Sequence, residues 1–536
     1  MGLNKIQQKA QVFKIIERLR NKSAVDKSIV LKTLDELKDL ENADFDFISR
    51  LLIKEADPKS PKNATGFIFI AEKLSPESFL EMMLNELNSN RVDDDKKMFL
   101  INILSGIGVR FKPEEIGAYL SNPDDAINSE TTRFLESAKI DPEARIDFLD
   151  FYFSSAKADR KELLNTVSED FEGDKLVNIL SPLALTVDEM DTVMYCIDVM
   201  EETKSLLGVK PLAFLSHSAN EKVSSRAKKI LQKMRFQGVF DDKKLNKFYK
   251  DLLEDFEEPV VRISMPDGNS NFSLVVSRKT KDDAYFVLFV ALNIFLGPFS
   301  CFGFSSITKD DHDTVINRFF TNSEQIFIPP SAARKILDTL AIKRIELNKV
   351  IPYEYFCWDR LLDDVEVDDK ELALVLNNGL SYVKINDGEL KLLINSPFVQ
   401  NWFYRYSKNN PVYSEMIDKI LKLNEENISE IENLINAGKE EFWIKDNIKY
   451  RTLYLAFCLK QMGADDLADL YFSLPLDENK FNEFVLHILK RSIYEHFLNL
   501  RMPTPVSKNI FRKFEPKKKD DVSLHIDYIE KNWVED

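Results

Sequence analysis

The stretch PLAFLSHSANEKVSSRAKKIL, residues 211–231, shows the pattern that decides the fold of the first half of the chain. A short apolar segment ends at Leu215, a polar turn follows, and Val223, Ala227 and Leu231 then recur at every fourth position. Apolar residues at this spacing lie on one face of a helix, so the stretch predicts a helix–turn–helix hairpin. Because one such hairpin cannot bury its apolar face alone, neighbouring hairpins are expected to stack into a continuous core.

A second copy of this pattern occupies residues 116–135, where IGAYLSNPDDAI is followed by Thr131 and Leu135 at the same spacing from Ile127. Its Leu-Ser-Asn-Pro-Asp turn and the helix after it resemble a HEAT repeat. In that family an Asp/Asn-Pro turn and a Val-x-x-x-Ala-x-x-x-Leu helix recur about every forty residues. The resemblance extends over residues 26–238 and implies an α-solenoid of stacked helix hairpins. We therefore expect residues 1–240 to form a HEAT-like helical repeat domain.

The middle of the chain has a different pattern. Two β-rich runs, Val260–Met265 and Phe272–Val276, flank a turn cluster, and the run Tyr285–Leu292 has apolar residues on both of its faces. These features predict a small antiparallel sheet with a doubly buried central strand. Helix-start signals follow the third run. We therefore expect residues 257–365 to form an α+β module in which helices cover the sheet.

Residues 366–536 again have a mainly helical pattern, with one exception. The residues Asn386-Asp387-Gly388 form a turn signal between two apolar runs, so the stretch 381–393 is a possible β-hairpin. The chain is thus expected to be mostly α. It would combine an N-terminal α-solenoid of stacked helix hairpins, a small α+β module with an antiparallel sheet in the middle, and a helical C-terminal region.

The composition argues against several classes of protein. Glycine accounts for 15 of the 536 residues, whereas its average share is about 7 %. Nucleotide-binding α/β folds use glycines in their phosphate loops, so this scarcity argues against them. Asp and Glu number 89 against 73 Lys and Arg, which gives a net charge of −16. Such an acidic balance disfavours nucleic acid as the main partner.

The sequence also bears on compartment and membrane. The longest apolar run, residues 284–299, is interrupted by Asn293 and Pro298 and is shorter than the ~20 residues that span a bilayer. The first residues lack the apolar core of a signal peptide, and the four cysteines are widely scattered, as is typical of a reducing compartment. We expect a cytoplasmic protein without a membrane partner.

One predicted helix has a basic face. Arg226, Lys229 and Lys233 lie opposite Val223 and Ala227. A solvated helix surface explains this arrangement. The alternative is an anionic ligand, such as nucleic acid, in the groove of the solenoid, since some HEAT-like proteins are DNA glycosylases.

An aromatic cluster in the middle of the chain offers another candidate site. Phe299, Phe302 and Phe304 belong to it, and Gly297-Pro298 and Gly303 punctuate it. Packing between the sheet and the helices explains most of these residues. A glycine-punctuated aromatic loop at a strand end is also a candidate pocket for a partner or ligand.

The sequence predicts no catalytic residue, metal ligand or cofactor. It has only five histidines and lacks both the Gly-x-Ser-x-Gly elbow and the phosphate-binding loop. The densest polar cluster, residues 310–313, is explained by carboxylates at the start of a helix. If the middle module held an enzyme site, its candidate residues would include this cluster and three further charged residues. The set is Asp267, Arg278, Asp310, Asp311, His312 and Arg334.

These observations predict a non-enzymatic protein–protein interaction or scaffold protein that uses the groove of an α-solenoid. The acidic balance predicts a protein partner of basic or mixed charge, whose binding weakens with salt. The alternative is an enzyme or nucleic-acid-binding protein with an anionic ligand in the groove or in the middle module. The identity of the partner and the oligomeric state are left open.

Overall fold

A computed structural model describes residues 5–21, 27–41, 43–111, 113–123, 141–170, 173–321, 323–367, 370–403 and 439–500, together with the single positions 125 and 138. The described chain is mostly helical, with one small antiparallel sheet in the middle of the sequence, as predicted. The stacking of the first helices into a solenoid and the borders of the three expected domains stay predictions.

Helices form the first half of the described chain, and many of them pack against the next helix or the next but one. Two apolar cores result, one between Val12 and Leu104 and the other between Ala138 and Tyr249. The second half of the repeat copy at 116–135 lies outside the described residues. The bounds are α1 Lys5–Asn21, α2 Lys27–Lys38, α3 Phe45–Glu55, α4 Pro61–Leu74, α5 Pro76–Leu87, α6 Asp94–Gly106, α7 Pro113–Tyr119, α8 Pro142–Ser154, α9 Lys157–Asp170, α10 Asp174–Thr186, α11 Met190–Thr203, α12 Val209–Leu215, α13 Glu221–Phe236 and α14 Asp242–Leu252.

The hairpin predicted for residues 211–231 is formed by α12 and α13. Val223 and Ala227 are buried, as their spacing predicts. The buried stripe then continues through Ile230, whereas Leu231 is only partly buried. An α-helix has 3.6 residues per turn, so its buried stripe drifts away from a strict step of four residues.

Five strands form the sheet in the order β4-β3-β2-β1-β5, and all of its pairs are antiparallel. β3 is an interior strand and is buried along most of its length, as predicted for the third apolar run. β4 is a long edge strand of 11 residues. The bounds are β1 Val260–Ile263, β2 Asn271–Lys279, β3 Tyr285–Asn293, β4 Gly297–Ile307 and β5 Ile326–Ile328.

The two faces of the sheet have different partners. The helices that follow the strands are α15 Lys309–Phe319, α16 Pro330–Glu346 and α17 Tyr353–Trp358. On the inner face, alternate residues such as Leu274 and Leu288 share an apolar core with α16 and α17. On the outer face, Val275 and Phe289 pack against Ile316 of α15. The inner face is thus covered by more helical surface than the outer face.

The end of the described chain is helical, and the β-hairpin predicted for 381–393 is wrong. Asn386 is instead the N-cap of a helix: its side chain accepts the N–H of Glu389, and the carboxylate of Glu389 accepts the N–H of Asn386. This reciprocal capping box stabilises a helix start. Residues 404–438 and 501–536 lie outside the described residues. The bounds are α18 Leu372–Leu376, α19 Asp387–Ile394, α20 Lys439–Gln461, α21 Asp465–Ser473 and α22 Glu478–Leu500.

All four cysteines are buried and unpaired, as expected for small core residues. Burial raises the pKa of each thiol above its usual range, so none of them is poised as a thiolate nucleophile. Within the described residues, every helix is too short or too polar to cross a bilayer.

Candidate functional site

The basic face of α13 carries Arg226, Lys229 and Lys233, and two of these cations pair with carboxylates of α11. Arg226 lies 3.0 Å from Asp198 and 2.5 Å from Glu201, and Lys233 lies 2.6 Å from the same Glu201. The hydrogen bond from Lys233 holds the pKa of Glu201 below its usual range. An anionic ligand would have to displace these carboxylates, so the geometry favours a solvated, ion-paired surface. The anion-binding role of this face stays a prediction.

Asp310, Asp311 and His312 lie in the first turn of α15. Thr308 is the N-cap: its hydroxyl oxygen accepts the N–H of Asp311 and its hydroxyl group donates to the Asp311 carboxylate, at 3.2 and 2.9 Å. Carboxylates are stabilised at this end of a helix by the helix dipole. The interpretation of this cluster as a helix cap is confirmed.

His312 also belongs to a buried hydrogen-bond chain that no sequence motif indicated. Its Nε2 lies 3.1 Å from Ser277 Oγ, its Nδ1 lies 2.9 Å from the Asp313 carboxylate, and its ring stacks on Tyr285. Burial lowers the pKa of His312, which favours the neutral imidazole. Nucleophilic triads use the same three residue types. Here, however, Ser277 and His312 are only 4 % and 6 % exposed, so a substrate cannot reach the Ser277 hydroxyl group. The hydrogen bonds of His312 instead anchor α15 to β2.

The remaining members of the possible enzyme set have separate partners. Asp267 accepts backbone N–H groups inside the turn between β1 and β2. Arg278 forms a bidentate pair with Asp364 at 2.7 and 2.9 Å, and Arg334 donates to the carbonyl of Asp363 at 2.8 Å. The structure therefore does not assemble these residues into one site. Among the described residues, no three His, Cys, Asp or Glu side chains converge so as to hold a metal ion.

A group of charged residues that we call the ionic seam joins α12 to the segment after α17. Lys210 Nζ lies 2.5 Å from Asp363, 2.9 Å from Asp359 and 4.0 Å from Asp338. Arg334 adds a second cation, 3.6 Å from Asp338. Burial raises the pKa of Asp359 to about 6, although Lys210 favours its charged form. The ammonium group of Lys210 occupies the centre of the ionic seam. We therefore interpret the seam as a structural contact.

An open cleft of about 370 Å³ is lined by Phe153, Lys157, Arg160 and residues 186–189. Its two cations share one carboxylate, because Glu189 lies 3.3 Å from Arg160 and 3.5 Å from Lys157. Arg160 is further held by the carbonyls of Phe153 and residue 155, at 2.7 and 3.1 Å. These contacts fix the guanidinium within the fold and reduce what it could offer to a ligand.

Phe299, Phe302 and Phe304 lie on the edge strand β4, and the prediction that they form a loop is wrong. Gly297 and Gly303, which suggested a loop, are required by close packing instead. A Cβ on Gly297, where φ is +76°, would lie 2.3 Å from a carbonyl oxygen of α16, and one on Gly303 would lie 2.3 Å from an aromatic ring of α17. The three phenylalanines are 38 %, 46 % and 36 % exposed. We call these three residues, with the β4 backbone between them, the aromatic edge.

The aromatic edge is rigid because its rings pack on one another and on the sheet. Phe302 stacks on Phe289 with their centroids 4.8 Å apart, and Phe289 packs on Phe319 of α15 at 4.7 Å. Phe304 meets Phe302 edge to face at 6.1 Å. A supported aromatic side chain loses little conformational freedom on binding, and aromatic residues are enriched in protein interfaces.

A row of carboxylates lies beside β4. Glu143, Asp147 and Asp150 follow one face of α8, and Glu354 of α17 joins them; we call these four the acidic row. Glu143 accepts the N–H and the hydroxyl of Ser305 in β4, at 3.0 and 2.7 Å. Burial and neighbouring carboxylates raise the pKa of Asp147 and Glu354. The helical spacing of the first three residues is visible in the sequence, but their position beside β4 is not.

No described Lys or Arg forms an ion pair with the acidic row, whereas the carboxylates beside α13 are paired. Among the residues that the structure describes, the acidic row therefore lies without an ion-pair partner next to an exposed aromatic strand. Comparisons of the chain with protein-family models, with curated proteins and with solved structures give no significant match. The resemblance of residues 26–238 to HEAT repeats stays a prediction.

Proposed function

We propose that the chain is a non-enzymatic protein–protein interaction or scaffold protein, and that the aromatic edge is part of its docking surface. The unpaired backbone of an edge strand is a template for another chain, and proteins usually protect such edges with charged residues or proline. β4 has 11 residues and no charged side chain, and its one proline, Pro298, lies at the start of the strand. This long, uncharged edge with three exposed phenylalanines carries the proposal, because a partner that covers the strand would bury them.

The helices before residue 253 would supply the scaffold, stacked as an α-solenoid. Two observations support this part of the proposal. Many helices pack against the next helix or the next but one, and the cores between Val12 and Leu104 and between Ala138 and Tyr249 are each shared by several helices, the second also with Cys357 of α17. The net charge of −16 favours a partner of basic or mixed charge, with binding that weakens as salt rises.

Photo-crosslinking tests the proposal directly. The photoreactive amino acid p-benzoylphenylalanine is placed at position 302 of the full chain. The matched control carries it at Phe236, which is 94 % exposed on α13 and lies outside the sheet. We expect irradiation in a cell extract to give a discrete protein adduct at position 302 that the control does not give. Equal adduct patterns at the two positions, or no adduct at position 302, would contradict the proposal.

A further inference from the structure

We infer that the aromatic edge and the acidic row together bind an extended basic segment of a partner protein, which adds to the sheet as a sixth strand beside β4. This inference rests on the proposed function and specifies the chemistry of the partner at that surface. It combines two features that lie side by side in the fold, an edge strand with a free side and a set of carboxylates that no described Lys or Arg pairs with.

Among the described residues, no strand pairs with the free side of β4. In the same part of the chain, Ser305 alone in β4 has hydrogen-bond partners outside the ladder to β3, namely Glu143 and Asp141. Pro298 and two shifts in register mark the ends of the strand. Between Ser300 and Phe304 the pairing with β3 is regular. This length matches a typical added strand of about five residues.

The side chains of β4 favour a segment with long side chains at alternate positions. Phe302 and Phe304 lie on the outer face of the sheet, opposite Phe289 and Val287 of β3. Alternate residues of an added strand would lie beside these rings, because side chains of neighbouring strands align across a sheet. Lys and Arg suit these positions, since their alkyl stems pack on aromatic rings and their cations are attracted to the ring faces.

The negative charges beside β4 favour a positively charged partner. Glu143 lies at one end of the free side, against Ser305. Glu354 belongs to α17, whose Trp358 packs closely against Gly303 of β4, and Asp150 accepts the hydroxyl group of Tyr353 in the same helix. The acidic row thus lies on two helices that contact β4, and burial, together with the smaller effect of the charges of Asp150 and Glu143, raises the pKa of Asp147. A segment with several Lys or Arg residues would relieve this repulsion, whereas an acidic segment would increase it.

A second copy of the chain is a poorer occupant. Pairing of two β4 strands about a two-fold axis would place the same surface on both sides of the interface. Each acidic row would then face the other copy's acidic row across the new pair of strands. Like charges in such positions are destabilising. The charge distribution therefore favours a basic partner over self-association.

Selection from a displayed library of random peptides of about twelve residues, long enough for one strand, tests the inference with the full chain as bait. We expect the enriched peptides to be rich in Lys or Arg, since one face of the added strand lies beside the phenylalanines and the other beside the acidic row. Their affinity is then measured by fluorescence anisotropy for the wild type and for a variant in which each carboxylate of the acidic row is changed to its amide. We expect this variant to bind at least about tenfold more weakly, which corresponds to about 1.4 kcal/mol.

A control variant has the same change in net charge on exposed carboxylates of α2, the turn after it and α5, and we expect its affinity to change by less than about twofold. It carries the substitutions Asp35→Asn, Asp39→Asn, Glu77→Gln and Glu81→Gln. Thermal unfolding checks that both variants fold. The enriched peptide is also N-methylated at alternate backbone positions, in two registers. Only one register should abolish binding, because only one set of N–H groups faces β4.

Four results would overturn the inference: no enrichment, enriched peptides without basic residues, equal binding by the two variants, or equal effects of the two N-methylated registers. Each of these is distinguishable from failure of the proposed function. A partner crosslinked at position 302 would still support a docking surface, and only the basic, extended nature of the bound segment would be wrong.

Discussion

Replacing Lys210 by methionine should cause a large loss of stability. Lys210 Nζ is the nearest cation to Asp359 and Asp363, at 2.9 and 2.5 Å, and both carboxylates are buried. Methionine fills a similar volume without the charge, so the two carboxylates are left facing each other. Removing one partner of a buried ion pair typically costs about 3–5 kcal/mol of unfolding free energy. We expect about 3 kcal/mol at pH 7, since Lys210 keeps some exposure.

The loss of unfolding free energy caused by Lys210→Met should be smaller at acid pH than at pH 7. Burial raises the pKa of Asp359 to about 6 in the folded chain, above its ordinary value of 3.8. The folded state therefore binds this proton more readily than the unfolded state, and the contribution of Asp359 to stability rises as pH falls from about 6 towards 4. Without Lys210 the pKa of Asp359 rises further. At pH 5 the carboxyl is then mostly protonated, and the repulsion from Asp363 is reduced.

Urea unfolding at pH 7 and pH 5, followed by tryptophan fluorescence, measures both effects. Trp358 is fully buried next to Asp359 in the chain and reports on the seam. The matched control is Lys229→Met on the exposed face of α13, which should change the unfolding free energy by less than about 0.5 kcal/mol. Equal losses for the two variants, or a larger loss for Lys210→Met at pH 5 than at pH 7, would refute the reasoning.

Three further predictions concern individual contacts. Gly303→Ala should destabilise the fold by about 1–3 kcal/mol, because a Cβ there would lie 2.3 Å from the Trp358 ring; thermal unfolding no different from that of a Ser300→Ala control would contradict this. The pKa of His312, measured by NMR titration, should lie below 6.5 because its ring is buried, so His312 should reduce stability as pH falls through that region; a value above 6.5 would contradict the described burial. Glu201→Gln should lower stability by less than about 1 kcal/mol, since its pairs with exposed cations are weak; a larger loss in urea unfolding would show that the basic face is held more firmly.

The fold was largely predictable because its signals are local. Helical periodicity revealed the hairpin of α12 and α13, and the β-rich runs revealed the sheet. The two errors also have local causes. The residues Asn386-Asp387-Gly388 suit a hairpin turn, but Glu389 completes a capping box with Asn386, so a helix forms instead. Gly297 and Gly303 suggested a loop, although both are needed for close packing around β4.

The candidate site was only partly predictable because its contacts are long-range. Phe299, Phe302 and Phe304 were visible as an aromatic cluster. Their relation to the acidic row depends on the contact between Ser305 and Glu143, which are 162 residues apart. The ionic seam likewise brings together residues separated by 153 positions. Periodicity reports which face of an element is buried, but it carries no information about which distant element lies against that face.

Hydrogen–deuterium exchange of the full chain, with and without its captured protein partner, tests the central claim most directly. We expect the partner to slow exchange of the backbone amides between Ser300 and Phe304, because a docked segment covers or pairs with the free side of β4. Exchange in α13 should be unchanged. Protection confined to α13, or to other helices with β4 unaffected, would contradict the claim that the edge strand is the docking surface.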